Sequence, residues 1–223
     1  MKTILLSQQK KGFEMKLTLF GATGKAGRLL LEQALAKGHM VTALVRDPAK
    51  LTQRHERLRV VHGDIRAADQ VAQAVAGAEA VISVLGPMSN KPELAVSQGM
   101  DNIVAAMRQH GVRRLIQSAG AGVRDPQDTP TLVHAFFGGL VRLLSPHVVA
   151  DMEQVVEKVR GSGLDWTVVR VPRLTDEAAT GQLRQGYVGK DIGTRMTRAD
   201  LAAFMLKQVE DRTYVGKAPA ISN

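Results

Sequence analysis

A short apolar strand running straight into a spaced glycine triplet constrains this chain more than any other feature. Lys16 to Phe20 forms the apolar run, Gly21-Ala22-Thr23-Gly24-Lys25-Ala26-Gly27 follows at once, and Arg28-Leu-Leu-Leu opens a helical pattern. Gly21 permits a tight turn, Gly24 lets backbone N–H groups approach a bulky anion, and Gly27 lets the new helix pack closely on its strand. An anion then sits at a helix N-terminus, where unpaired N–H groups and the helix dipole favour negative charge. Glycine triplets also occur in tight turns that bind nothing. Between a strand and a helix, this one points to a pyrophosphate site, hence a dinucleotide, with Gly21, Thr23, Gly24, Lys25, Ala26 and Gly27 as its cradle.

The pattern that starts there continues. Strands are expected at Lys16–Phe20, Met40–Val45, Leu58–Val61, Ala80–Leu85, Arg114–Ser118 and Trp166–Val171. Helices are expected at Gly24–Lys37, Ala67–Ala76, Pro92–His110 and Asp151–Arg160, with a short helix or turn near Ala49–Arg54. Strands alternating with helices build right-handed βαβ units and a doubly wound parallel sheet of the Rossmann type. Two segments break the rhythm: Asp125–His147, apolar with Gly138-Gly139 inside it, and the Gly-rich Leu174–Thr197. Both follow strand ends on the ligand side of such a sheet, and they read equally as substrate lids or as core-packing insertions.

The chain's 223 residues, 44% hydrophobic, suit one well-filled domain over residues 15–223. Residues 1–14 precede the first strand and read as an N-terminal extension, poorly ordered or packed on the surface; their apolar stretch Ile4–Leu6 is too short for a signal core. Cysteine is absent, which rules out disulfides and thiolate chemistry and suits a cytoplasmic protein. No apolar run reaches the roughly 20 residues of a membrane span, so no membrane partner is expected. The net charge is +9, of which residues 1–14 carry +2. The cations are scattered and aromatics make up only 4%, too few for a base-stacking platform, so nucleic acid is not expected as a partner. A surface suited to a polyanionic cofactor accounts for the charge.

The second strand ends in Val45-Arg46-Asp47-Pro48, with Arg46 nineteen residues past Gly27. An acid there selects NAD through its ribose, whereas an arginine pairs with the 2′-phosphate of NADP and stacks on the adenine. NADP(H) is therefore favoured over NAD(H), with Lys25 as a second cation. Asp47 would compete for the ribose if the loop shifted. Asp64, followed by Ile65, is placed either to accept from the adenine amino group or to cap the next helix. Leu85 and Gly86 leave the fourth strand beside the cofactor, and Ser118, Ala119 and Gly120 end the fifth beneath the nicotinamide. No His/Asp/Glu spacing suggests a metal site, and there is no nucleophile elbow.

Taken together, Gly-Ala-Thr-Gly-x-x-Gly, Val-Arg-Asp-Pro, Val-x-Gly-Asp and Ser83-Val-Leu-Gly resemble the atypical short-chain dehydrogenase/reductases of the NAD(P)H-binding group. Gly163-Leu-Asp-Trp-Thr-Val-Val-Arg170-Val171-Pro172-Arg-Leu174 and Thr197-Arg-Ala-Asp-Leu-Ala extend the likeness over residues 15–223. Within the group the chain is similar to biliverdin IXβ reductase/flavin reductases. The resemblance implies that Arg170–Leu174, with Val171, Pro172 and Leu174, holds the nicotinamide carboxamide, and that Ser118 lies near the hydride-transfer face.

The chain departs from the short-chain pattern in having no Tyr-x-x-x-Lys pair. Tyr187 and Tyr214 meet a lysine at i+3 and lie well past the expected helix. Met152 stands roughly where the biliverdin-type enzymes place a histidine. Hydride transfer to a flavin or quinone tolerates this, because the product anion is stabilised and its proton comes from solvent or Ser118, the candidate catalytic residue. The acceptor is then a small planar molecule, for which Met88, Phe136, Phe137 and Met152 would form an apolar slot unless they are core packing. His134 and His147 read as proton donors or as surface histidines. The alternative is a catalytically weak NADP(H)-binding redox sensor acting through a protein partner.

Overall fold

The computed structural model describes residues 14–87, 89–90, 92–131, 139–190 and 192–223. Of the expected extension only Glu14 is among them, its carboxylate 2.8 Å from Arg57.

The chain opens with β1 (Lys16–Phe20), α1 (Lys25–Ala36), β2 (Met40–Val45), a 3-10 turn (Pro48–Lys50) and β3 (Leu58–His62). It continues through α2 (Ala68–Val75), β4 (Ala80–Ser83), α3 (Ala95–Gln109), β5 (Arg114–Gly120), α4 (Pro146–Arg160) and β6 (Asp165–Val171). The last part holds β7 (Arg173–Thr175), β8 (Arg184–Gly186), β9 (Arg195–Thr197), α5 (Arg198–Lys207) and β10 (Ala220–Ser222). Eight strands make one sheet in the order β3-β2-β1-β4-β5-β6-β10-β8, parallel except for β8 against β10. From β1 the chain winds outward through β2 and β3, then returns to lay β4, β5 and β6 on the other side. The crevice at the C-terminal ends of β1 and β4 is the place where such sheets bind ligands.

Both faces of the sheet are covered, so the inner strands are buried along their length rather than on alternate residues, and all four residues of β4 are buried. α1 turns Gly27, Leu30, Leu31, Ala34 and Leu35 inward at helical spacing. It packs with α5 over Leu17, Leu19, Ile82, Ile116 and Val169. On the opposite face α2, α3 and α4 cover Phe20, Val81, Leu115 and Val168. α5 is closed at its start by Thr197, whose hydroxyl accepts the Asp200 amide at 3.0 Å while the Asp200 carboxylate takes the hydroxyl proton.

Several boundaries differ from the sequence expectation for identifiable reasons. α3 begins at Ala95 rather than Pro92, because Leu94 lies in the left-handed region at φ 43° and ends any helix that precedes it. α4 begins at Pro146 rather than Asp151, since proline is well suited to the first helical position. β5 runs on to Gly120, paired along its whole length with β6. The stretch from Leu174 to Thr197 is less irregular than expected: it supplies β8 at the edge of the sheet and the parallel β7/β9 pair beside it. In the first irregular segment, residues 139–144 are helical and leave Leu143 77% and Leu144 66% exposed. Among the described residues no helix is long and apolar enough to cross a membrane.

Candidate functional site

The glycine loop has the geometry a pyrophosphate needs. Gly21 sits at φ +89°, a conformation side chains disfavour, and its carbonyl accepts the Gly24 amide at 3.0 Å. A Cβ on Gly27 would lie 2.0 Å from that same carbonyl oxygen, so the first turn of α1 presses directly on the loop. Gly24 is the N-cap of α1 and brings no side chain to its N–H groups. The loop and the uncapped amides at the start of α1 together fit the diphosphate of a dinucleotide. Thr23 and Ala26 are half-buried within it. Lys25 reaches across to Asp176 beyond β7 at 2.7 Å, and Asp176 also meets Arg198 at 2.6 Å. The Lys25 hydrogen bond, with Arg198 assisting, holds the Asp176 carboxyl below the ordinary carboxylate range.

At the other end of the crevice, Arg46 closes β2 and its carbonyl oxygen lies 3.2 Å from His62 Nε2. Asp47 is occupied locally: its carboxylate accepts the Ala49 amide at 3.1 Å and stands 3.7 Å from Lys50. Asp64 neither caps α2, whose N-cap is Ala67, nor stands clear of partners. Its carboxylate binds Arg66 through two side-chain bonds of 3.0 and 2.9 Å, which hold it below its ordinary value. The Asp64–Ile65 turn is anchored by residues the sequence did not single out. Gln70 Oε1 accepts the Asp64 amide at 2.8 Å, Asn102 donates to the Ile65 carbonyl at 2.8 Å, and a Cβ on Gly99 would meet Ile65 Cδ1 at 2.4 Å.

Ser118, Ala119 and Gly120 lie in register with Val169, Arg170 and Val171, and the Ala121 amide donates to the Val171 carbonyl at 2.7 Å. Ser118 is half-buried while Ala119 and Val171 are buried. Beside them Gln117 donates to the Ser118 carbonyl at 2.6 Å and reaches the Leu85 carbonyl at 3.5 Å, tying the exit of β4, where Gly86 follows, to the end of β5. Gln117 Oε1 and Ser83 Oγ are buried without a partner among the described residues. Pro172 leads into β7, where Leu174 pairs with Met196. The Arg170 side chain is not presented to a ligand. It is fully buried, bound to Asp128 at 2.6 and 2.8 Å and to the carbonyls of Ala218 and Val123.

On the substrate side, Met88, His134, Phe136 and Phe137 lie outside the described residues. Met152 is 8% exposed and belongs to the core cluster that holds Ala119 and Val123. The His147 amide donates to Asn90 Oδ1 at 3.0 Å at the start of α4. No three His, Cys, Asp or Glu side chains among the described residues converge as metal ligands.

Comparison with known proteins agrees with this fold. The chain is 29% identical to the Bacillus subtilis protein YwnB over 202 residues, 88% of this chain and 92% of that one. It is 29% identical to cinnamoyl-CoA reductase 1 of Oryza sativa over 139 residues, 57% of this chain but only 41% of that longer enzyme. Among solved structures, the oxidoreductase ylbE from Lactococcus lactis superposes with a TM-score of 0.78 at 21% identity, covering 94% of this chain and 91% of that one. The model of the NAD(P)H-binding family matches residues 21–212, from the first glycine of the loop to just past α5, and the chain belongs to that family.

Proposed function

We propose that this chain is an NADPH-dependent reductase that passes hydride to a planar conjugated acceptor of the flavin or quinone type. The observation that carries the choice of NADPH is the engagement of Asp47. Its carboxylate caps the 3-10 turn through the Ala49 amide and stands 3.7 Å from Lys50, a local role that favours Arg46 over Asp47 as the contact at the ribose. Arg46, immediately before it, suits a 2′-phosphate. The α1 amides and the glycine loop would hold the diphosphate, and the Ser118–Gly120 and Val171–Leu174 segments would flank the nicotinamide. Bound NADPH supplies the hydride.

What α4 lacks supports the acceptor class. Its sequence, Pro-His-Val-Val-Ala-Asp-Met-Glu-Gln-Val-Val-Glu-Lys-Val-Arg, contains no tyrosine to protonate an alkoxide. A flavin or quinone that accepts hydride becomes a delocalised anion, and one proton from solvent or from Ser118 Oγ completes its reduction. The protein then has only to hold the acceptor flat against the nicotinamide. A cysteine-free chain of this kind suits the reducing, NADPH-rich cytoplasm.

The test is NADPH oxidation by the purified protein with FMN, riboflavin, a benzoquinone and biliverdin, with NADH run in parallel. Saturable turnover with NADPH preferred supports the reductase. Tight NADPH binding without turnover of any acceptor contradicts it and favours a redox sensor that signals through a protein partner. The exposed Leu143 and Leu144 give that second reading its support.

A further inference from the structure

The two loops that flank the proposed adenosine ribose are joined by one side chain. Arg28 Nε donates to the carbonyl of Thr23 in the glycine loop at 3.1 Å, and Arg28 Nη2 donates to the carbonyl of Lys50 at 3.0 Å. Each end of this link is firmly held. Arg28 lies in the first turn of α1, its amide on the Gly24 carbonyl at 2.9 Å, directly after the Gly27 that has no room for a Cβ. Lys50 closes the 3-10 turn, where its amide and that of Leu51 donate at 3.1 Å to the carbonyls of Asp47 and Pro48. That turn begins two residues after Arg46.

A guanidinium presents its N–H donors in a rigid planar fork, so one side chain can serve two carbonyls at a fixed spacing. A lysine ammonium at the end of a flexible stem can satisfy one of them well. Neither Thr23 nor Lys50 needs such a bridge for its own fold element, because both turns are already closed by backbone bonds. What the bridge fixes is the distance between the turns. That distance matters to a ligand held at both ends, one end at the glycine loop and the other at Arg46.

We propose that Arg28 is a positioning residue for NADP(H) recognition: it sets the turn carrying Arg46 at a fixed distance from the glycine loop, so that diphosphate and 2′-phosphate are gripped together. This rests on the NADPH reading above. NAD(H) has no 2′-phosphate to place, so the loss of Arg28 costs NADP(H) more than NAD(H).

The experiment is titration of NADP+ and NAD+ by calorimetry against wild type, Arg28→Met, Arg28→Lys, Arg46→Met and the double variant, with no acceptor present. Arg28→Met should weaken NADP+ about tenfold, as expected for the loss of two modest hydrogen bonds, and NAD+ less than about threefold. Arg28→Lys should fall between it and wild type. Because Arg28 acts through Arg46, the double variant should bind NADP+ within about twofold of Arg46→Met alone. Equal weakening of both dinucleotides, unchanged NADP+ affinity, or effects that multiply in the double variant each overturn the positioning role. Thermal unfolding of the ligand-free variants separates these outcomes from damage to the fold, and Arg28→Lys carries the test if Arg28→Met does not fold. A wild type with no preference for NADP+ overturns the NADPH reading and this role together. A wild type that prefers NADP+, with Arg28→Met unchanged, overturns this role alone.

Discussion

Asp151 of α4 caps a different helix: its Oδ1 accepts the backbone amide of Ser97 at 2.9 Å and its Oδ2 that of Val96 at 3.2 Å, both in the first turn of α3. Leu94, the residue at the cap of α3, offers no side-chain bond. Asn90, in the loop before α3, returns the arrangement by accepting the His147 amide in the first turn of α4. Asp151→Ala should therefore cost about 1–2 kcal/mol of stability, the usual worth of a helix cap, with more added for the buried amides left unpaired. Urea unfolding measures it. Asp151→Asn keeps one acceptor and should recover part of the loss, and a wild-type midpoint in Asp151→Ala would show that the cap contributes nothing.

The buried ion pair of Arg170 with Asp128 makes stability depend on pH. Burial alone would raise the Asp128 carboxyl, but the Arg170 hydrogen bond, the Asp125 amide, the Arg170 charge and the Val188 amide outweigh it and hold it below the ordinary value. A carboxyl whose folded pKa is depressed stabilises fully above the unfolded pKa, about 3.9, and loses that stabilisation as pH falls through the folded value. Asp128→Asn should thus cost about 3–5 kcal/mol near neutral pH by stranding a buried guanidinium, and should lose less stability than wild type on acidification. Unfolding free energies from pH 7 downward test this, and parallel curves would contradict it.

Arg46→Glu should weaken NADPH by about 1–3 kcal/mol more than NADH if one charge-assisted phosphate contact is lost. Dissociation constants for the two cofactors decide the matter. Equal weakening of both would remove Arg46 from the 2′-phosphate.

Gly27→Ala places a Cβ 2.0 Å from the Gly21 carbonyl oxygen and 2.7 Å from its carbon, contacts with backbone that no rotamer relieves. The loop must move, at about 1–3 kcal/mol of stability, and dinucleotide binding should be lost. At Gly24 the nearest Cβ contact is 3.4 Å, so Gly24→Ala should keep its fold. Melting temperature and NADPH affinity of the two variants check the contrast, which fails if Gly27→Ala binds as wild type does.

The βαβ body was legible in the sequence because its signals are local. β1 and β2 fall where the apolar runs placed them, and the glycine loop adopts the turn its spacing demanded. What escaped were features made by distant parts of the chain. β10 is three residues long and joins the sheet only through β6 and β8. The start of α3 depends on a carboxylate 54 residues away, and Lys25 meets an Asp176 that lies 151 residues on. Asp64 does not cap α2, and its pairing with Arg66, two residues on, gave no signal in the pattern. Arg28 gave no signal at all, since an arginine in the first turn of a helix is unremarkable until its two carbonyl partners are seen.

Direct hydride transfer is the central claim, and an isotope effect tests it most directly. NADPH carrying deuterium on one or the other face of C4 is mixed with excess protein and an acceptor from the panel, and a single turnover is followed by nicotinamide absorbance. The account predicts that oxidation slows severalfold for deuterium on one face and is unchanged for the other. Equal rates from both faces, or bound NADPH that no acceptor oxidises, would contradict it.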